Sequence, residues 1–173
     1  MINNTFYLLE QFSANSSSAI KGLSFQDSDE QYRLEDAQWF KEKVGNMFQS
    51  QKELYLAHWD ILNKHLTTVN KNELVYQKDK LLSKESGRLI KSRFSSFIED
   101  FEEIYQTHKC LKLIDEKLRV SLQNDVRNVF LPRYTEFYEK YAKIHFSKKN
   151  QESYLKYPPA RANGLISELY EIL

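Results

Sequence analysis

Four glycines and three prolines are the only residues of their kind in 173 positions, about 4% of the chain where roughly 12% is ordinary. No other feature bounds the fold so tightly. A sandwich or barrel needs a turn about every ten residues, and this chain lacks the residues that make them. Nucleotide-binding loops go with them: neither G-x-G-x-x-G nor G-x-x-x-x-G-K-[S/T] occurs, so no glycine-rich backbone cradle for phosphates is encoded. The length suits one compact unit, or one unit with part of a neighbour. Hydrophobic content of 41% with 14% aromatics supplies a core and excludes disorder for the bulk of the chain.

Cys110 is the single cysteine, so no intramolecular disulfide can form, which fits a reducing cytosolic compartment. No run of about 18 apolar residues exists to span a membrane. The start, Met1-Ile2-Asn3-Asn4, lacks the basic and apolar regions of a secretory signal. The expectation is a cytosolic all-α protein, more than about two-thirds helical and without sheet.

Residues 3 to 13 predict a short apolar helix, and Ser13 to Gln26, with Ser16-Ser17-Ser18 and Gly22, a loop. Ser28 and Gln31 have capping-box spacing and open a long helix over 29–66. Its apolar positions are Phe40, Val44, Met47, Phe48, Tyr55, Trp59, Leu62 and Leu66, and it is long enough to serve two neighbouring bundles. Trp39 and Trp59 are expected in the core. Lys71 to Lys80 reads as a linking loop.

From Lys84 to Lys109 the stripe Ile90, Phe94, Phe97, Ile98, Phe101, Tyr105 predicts a second amphipathic helix. Its opposite face is basic first (Lys84, Arg88, Lys91, Arg93) and acidic later (Glu99, Asp100, Glu102, Glu103), the reverse of what the helix dipole favours. We read it as a solvated face. Asp115 caps a third helix carrying Leu118, Leu122, Val126, Val129, Phe130, Tyr134, Phe137 and Tyr141. Pro132 falls inside it, removing one amide and crowding the carbonyl of Asn128, so a bent but continuous helix to about Ile144 is predicted. Phe146 to Pro159 reads as a basic loop. Pro159 opens a last helix over Ala160–Leu173 that buries Leu165, Leu169 and Ile172. Together these predict a four- or five-helix antiparallel bundle.

Enzyme signals are absent. His108, Cys110 and Asp115 are close in sequence, but catalytic partners meet through the fold rather than along one helix end, and a buried or half-buried thiol is the expectation for Cys110. His58 and His65 do not close a zinc site. No catalytic residue, metal ligand or cofactor is assigned. Charge is the distinctive feature: between Lys140 and Arg161, Lys140, Lys143, Lys148, Lys149, Lys156 and Arg161 face one acid, Glu152. The segment carries a net +5 in a chain whose total is +1. A solvated loop is one reading and an anionic membrane surface, with tyrosines at the interface, another. Nucleic acid is argued against by a pI near 7.8 and the lack of a binding motif.

Several segments, in order, resemble one family. They are Ile90-Lys91-Ser92-Arg93-Phe94-Ser95-Ser96-Phe97 with Phe101-Glu102; Asp115-Glu116-Lys117-Leu118-Arg119; Leu131-Pro132-Arg133-Tyr134 with Phe137, Tyr138 and Tyr141; and Phe146-Ser147-Lys148 followed by Tyr154-Leu155-Lys156-Tyr157. Weaker collinear matches are Ile2 to Leu9 and His58-Trp59 with Leu62. The chain thus resembles the C-terminal region of the exocyst's seventy-kilodalton subunit. The resemblance implies the end of a helical rod, with about 1–50 the tail of a penultimate bundle and about 51–173 the terminal bundle. It further implies a non-enzymatic protein that tethers secretory vesicles at the plasma membrane, working with other exocyst subunits. Phosphatidylinositol 4,5-bisphosphate would bind at Lys148, Lys149 and Lys156, with Lys143 and Arg161 nearby. The alternative is a helical effector module for a Rho-type GTPase or another acidic protein. Ser153 stands where the family often has a basic residue.

Overall fold

A computed structural model describes residues 2–15, 27–67, 74–76 and 82–171. Six α-helices and one 3₁₀ helix appear among them: α1 (Ile2–Asn15), α2 (Asp27–Asp60), the 3₁₀ helix (Ile61–His65), α3 (Lys84–Lys109), α4 (Glu116–Tyr141), α5 (Gln151–Tyr154) and α6 (Pro159–Ser167). No strand occurs among the described residues; their sole extended pairing is an isolated antiparallel bridge, Tyr76 to Leu82. The all-helical expectation holds. The chain divides into two compact units, Met1–Tyr55 and Leu56–Leu173.

In the first unit α1 packs on α2 through Phe6 and Phe48, ring centroids 5.6 Å apart. Thr5 Oγ1 donates to the carbonyl of Ile2 and lies 3.1 Å from Gln51 Oε1. Two helices bury little, because each covers only one face of the other. Val44 is buried, but Trp39 is 60% exposed, and Met47 and Leu54 are exposed too. Trp39 is therefore not in the core of this unit, contrary to expectation. The helix α2 begins at Asp27, one residue ahead of Ser28. Residues 13–15 extend α1 rather than opening a loop. The rest of that expected loop, 16–26, lies outside the described residues, as does most of the expected linking loop from Lys71 to Lys80.

The second unit is built on the α3–α4 hairpin. Ser83 opens α3, its hydroxyl accepting from the Ser86 amide, and Asp115 opens α4 by accepting from the Leu118 amide at 2.9 Å, each satisfying a donor the first turn leaves unpaired. The buried stripes of the two helices meet in antiparallel register. Phe94 lies against Phe137 at 5.0 Å, Phe97 stacks on Tyr134 at 4.0 Å, and Phe101 meets Phe130 at 5.9 Å. Each buried ring contributes about 1.5–3 kcal/mol, and a ring pair about 1 kcal/mol beyond area. Trp59, fully buried, stacks on Phe130 at 6.0 Å. Leu62 and Leu66 complete that face.

Pro132 does not divide α4, which is unbroken from Glu116 to Tyr141. The amide that Pro132 lacks would have served the carbonyl of Asn128, and the neighbouring carbonyl of Val129 is held from outside the helix by Asn63, whose Nδ2 donates to it at 2.8 Å. Phe130 and Tyr134, both fully buried, hold the helix on either side.

Two expectations about the C-terminal segment need correction. The loop over Phe146–Pro159 contains α5, one helical turn. The last helix stops at Ser167 rather than reaching Leu173. Gln123 Nε2 donates to the carbonyls of Ser167 and Leu169 at 3.0 Å each, taking acceptors that a longer helix would use. Tyr170 then adopts a left-handed φ of 69°, a cost offset by near-complete burial beside Leu169. Ala162 and Ile166 are the buried residues of α6, Leu165 is half-buried, and Ile172 lies outside the described residues. Arg127 holds α6 to α4, with Nε 2.7 Å from Asn163 Oδ1 and Nη2 2.6 Å from Ser167 Oγ.

Candidate anionic-surface site

The five predicted basic residues fall into two groups. Lys143, Lys148 and Lys149 sit on the segment joining α4 to α5, and all three are exposed. That segment is built rigidly. Phe146 is buried, its ring stacked on Phe94 at 5.5 Å and edge-on to Tyr154 at 6.0 Å. Gln151 closes the loop from below: its Nε2 donates to the carbonyl of Ile144 at 3.1 Å and its Oε1 accepts from the Ser147 amide. Ser147 Oγ donates to the Lys149 carbonyl at 2.6 Å, and Asn150 turns the chain with a left-handed φ of 56°, a conformation asparagine tolerates. An anchored loop thus presents two adjacent lysines to solvent.

Lys156 and Arg161 serve another structure. Lys156 Nζ lies 2.5 Å from Glu102 Oε1 on α3, and Tyr157 donates its hydroxyl to the same oxygen at 2.8 Å. The two hydrogen bonds, that from Lys156 first, hold the Glu102 carboxyl below its ordinary range. In return the Glu102 hydrogen bond raises the Lys156 ammonium above its usual value. Lys156 and Arg161 lie over the Tyr157 ring at 5.2 and 5.7 Å, and that ring packs on Phe101 at 5.3 Å. The buried Tyr134 hydroxyl donates to the Tyr157 carbonyl; burial raises its pKa well above the ordinary tyrosine value. The segment Tyr154-Leu155-Lys156-Tyr157 is a fastener that pins the C-terminal segment to the hairpin. Nothing among the described contacts joins Lys156 to Lys148 or Lys149.

The fold adds basic residues from the face of α3 that the sequence alone makes a solvated surface. A Cβ on Gly87 would stand 2.8 Å from the carbonyl oxygen of Phe146, so the first turns of α3 lie directly under the Lys148–Lys149 loop. Lys91 Nζ is 5.9 Å from the Tyr154 ring, and Lys84 and Arg88 are exposed on the same turns. The reversed charge order along α3 is the one signal of this in the sequence. Positive charge at a helix N-terminus is disfavoured by the dipole, and here it adds to the basic surface of the loop above it.

The remaining chemistry-bearing residues do not assemble. Cys110 is exposed, not buried, with its thiol 3.7 Å from the Gln106 carbonyl. His108 is buried against Trp59 and His58, ring centroids at 5.5 and 5.7 Å, and burial first, then the His58 charge, lowers its pKa to about 4. Asp115 is occupied as the helix cap. His65 pairs with Asp100 at 2.8 Å, which Lys64 also meets at 2.8 Å, so His58 and His65 serve different partners. Among the described residues no group of three His, Cys, Asp or Glu could hold a metal ion. No described helix is long and apolar enough to cross a membrane.

The family model for the C-terminal part of Exo70, a component of the exocyst complex, matches residues 1–168. Exocyst complex component 7 of Drosophila melanogaster is 34% identical over 104 residues, covering 56% of this chain and 15% of that protein. Exocyst complex component EXO70A1 of Arabidopsis thaliana is 35% identical over 86 residues, covering 50% of this chain and 14% of that protein. The chain therefore spans a small part of these relatives' length. A solved structure of Saccharomyces cerevisiae Exo70 superimposes with a TM-score of 0.50 at 24% identity, over 78% of this chain and 22% of the yeast chain, and shares the helical fold.

Proposed function

The chain belongs to the Exo70 family of exocyst complex subunits, matching their C-terminal region, and from that premise we propose that it is a non-enzymatic part of a vesicle-tethering protein that contacts anionic lipid. In this reading residues to about 50 form the tail of a penultimate bundle and the rest the terminal bundle of a rod. Other exocyst subunits are its partners, and it works in the cytoplasm at the periphery of the plasma membrane. The ligand is a phosphoinositide-bearing surface, with phosphatidylinositol 4,5-bisphosphate as head group.

One observation carries the proposal. Lys148 and Lys149 are held out by an internally bonded loop directly above the basic first turns of α3. Lysine meets phosphate as a compact point charge, so the pair needs no shaped pocket. Lys143 adds to the same segment. Lys156 and Arg161 contribute by longer-range attraction, because Lys156 already answers Glu102.

Sedimentation with phosphatidylcholine vesicles containing phosphatidylinositol 4,5-bisphosphate tests the reading. Each basic residue near an anionic surface is worth about 1 kcal/mol, so Lys148→Ala with Lys149→Ala should weaken binding about 30-fold and leave the helical signal intact. Attraction should fall steeply with salt. Equal pelleting of parent and double variant at one salt concentration removes the site. Capture by vesicles only after a small GTPase is added would favour the effector reading instead.

A further inference from the structure

The segment 74–76 ahead of α3 holds two exposed apolar side chains that the hydrophobic core does not use. Val75 is 57% exposed and Tyr76 50%. Their backbone is nonetheless fixed. The Val75 amide donates to Ser86 Oγ at 3.0 Å, the Ser83 amide donates to the Val75 carbonyl at 2.8 Å, and Tyr76 bridges to Leu82. A segment tied down in this way points its apolar groups outward without needing them for its own stability. Its position is informative. Ser86 precedes Gly87, which closely approaches the Phe146 carbonyl, two residues from Lys148. The exposed pair and the exposed lysines therefore share one end of the α3–α4 hairpin. Among the described residues, charges at that end include Lys84, Arg88, Lys91, Lys143, Lys148 and Lys149, against Glu85 and Glu152.

We propose that Val75 and Tyr76 are the apolar half of the membrane contact, seated in the interfacial layer of an anionic bilayer while the surrounding lysines meet lipid phosphates. The inference rests on the lipid-binding reading above and adds to it an uncharged anchor. Tyrosine suits that depth, with an apolar ring and a polar tip that stays among head groups. A net basic surface beside an apolar pair complements a surface that is anionic outside and apolar beneath. Charge alone gives binding that salt abolishes; buried apolar area resists screening. The contact should therefore keep a salt-resistant fraction that the lysines cannot supply.

The test uses the 173-residue chain with vesicles of phosphatidylcholine, phosphatidylserine and phosphatidylinositol 4,5-bisphosphate. Val75→Ser with Tyr76→Ser should weaken sedimentation about tenfold and abolish the binding that survives at about 0.5 M salt. The circular dichroism spectrum should not change. A second variant, Tyr76→Trp, keeps the backbone bridge to Leu82 and should gain fluorescence quenching by bromine-labelled acyl chains over the parent. Parent-level binding by the serine variant, or no added quenching in the tryptophan variant, overturns the inference. If Lys148→Ala with Lys149→Ala abolishes binding while the serine variant binds as the parent does, the anchor fails alone and the lipid site stands. If the parent itself does not sediment, both fail.

Discussion

Replacing Gly87 with alanine should lower stability, although the same change elsewhere in the chain should raise it. A glycine inside a helix costs about 1 kcal/mol relative to alanine, so the substitution starts with that gain. At Gly87 the new methyl would meet the Phe146 carbonyl oxygen at 2.8 Å, and ordinary contact requires the two to part by about 0.6 Å. The obstacle is backbone, and it cannot yield freely. Phe146 is stacked on Phe94, its amide donates to the Ile144 carbonyl at 2.9 Å, and Gln151 ties the same loop. Overpacking of this kind costs about 1–3 kcal/mol, which exceeds the gain and leaves a net loss of about 1 kcal/mol. For a chain of this length that is a fall in Tm of about 2–4 °C. Gly164 is the internal control: in α6, it has nothing within 4 Å of the added Cβ, so Gly164→Ala should raise Tm by a similar amount. Thermal melts followed by far-ultraviolet circular dichroism compare the two variants in one experiment. If Gly87→Ala stabilises the chain as much as Gly164→Ala does, the close approach of α3 to the lysine loop is not a constraint, and the reasoning fails.

Asn63→Ala should cost about 1–2 kcal/mol, read from urea unfolding at the buried Trp59, because it strips the Val129 carbonyl of its side-chain donor beside Pro132. Asp60→Ala, which removes only the exposed partner of the same amide, should change stability by less than about 0.5 kcal/mol. Glu102→Gln should move two readouts in opposite directions: a Tm lower by about 1–2 °C, and vesicle binding about two- to fivefold tighter as Lys156 is released and an acid removed. Because the folded Glu102 carboxyl is lowered from its ordinary 4.5, its contribution is present above that pH and lost as pH falls through the folded value. His108, lowered from 6.5 to about 4, binds its proton more readily when the chain is unfolded. Stability should therefore drop by about 2 kcal/mol between pH 6.5 and 4, and His108→Leu should flatten that slope in denaturant titrations.

Helix positions are legible in the sequence because they rest on local physics. The spacing of Ile90, Phe94, Phe97, Phe101 and Tyr105 matches the α3 observed from Lys84 to Lys109, and Asp115 caps as its placement predicts. Boundaries depart from expectation where a distant residue competes for backbone groups. Gln123 ends α6 early by taking two carbonyls from 44 and 46 residues away, and no local pattern contains that information. Trp39 departs for a related reason: periodicity marks an apolar face, but burial needs a second surface to cover it.

The lysines divide along the same line. Their number and clustering between Lys140 and Arg161 are properties of the sequence, and so is the family to which the ordered motifs point. Which of them is open to an anionic surface is not. Lys156 and Lys148 look alike along the chain, yet one is held by Glu102, 54 residues away, and the other projects from a loop closed by Ser147 and Gln151. The basic turns of α3 and the exposed Val75–Tyr76 pair join that loop through the close approach of Gly87 to the Phe146 carbonyl. Composition and period determined that this chain makes helices with an aromatic seam, because propensity and amphipathicity act within a few residues. The tertiary structure alone decided which charges hold the fold and which face outward, because a charge is answered by whatever the packed chain brings within a few ångströms of it.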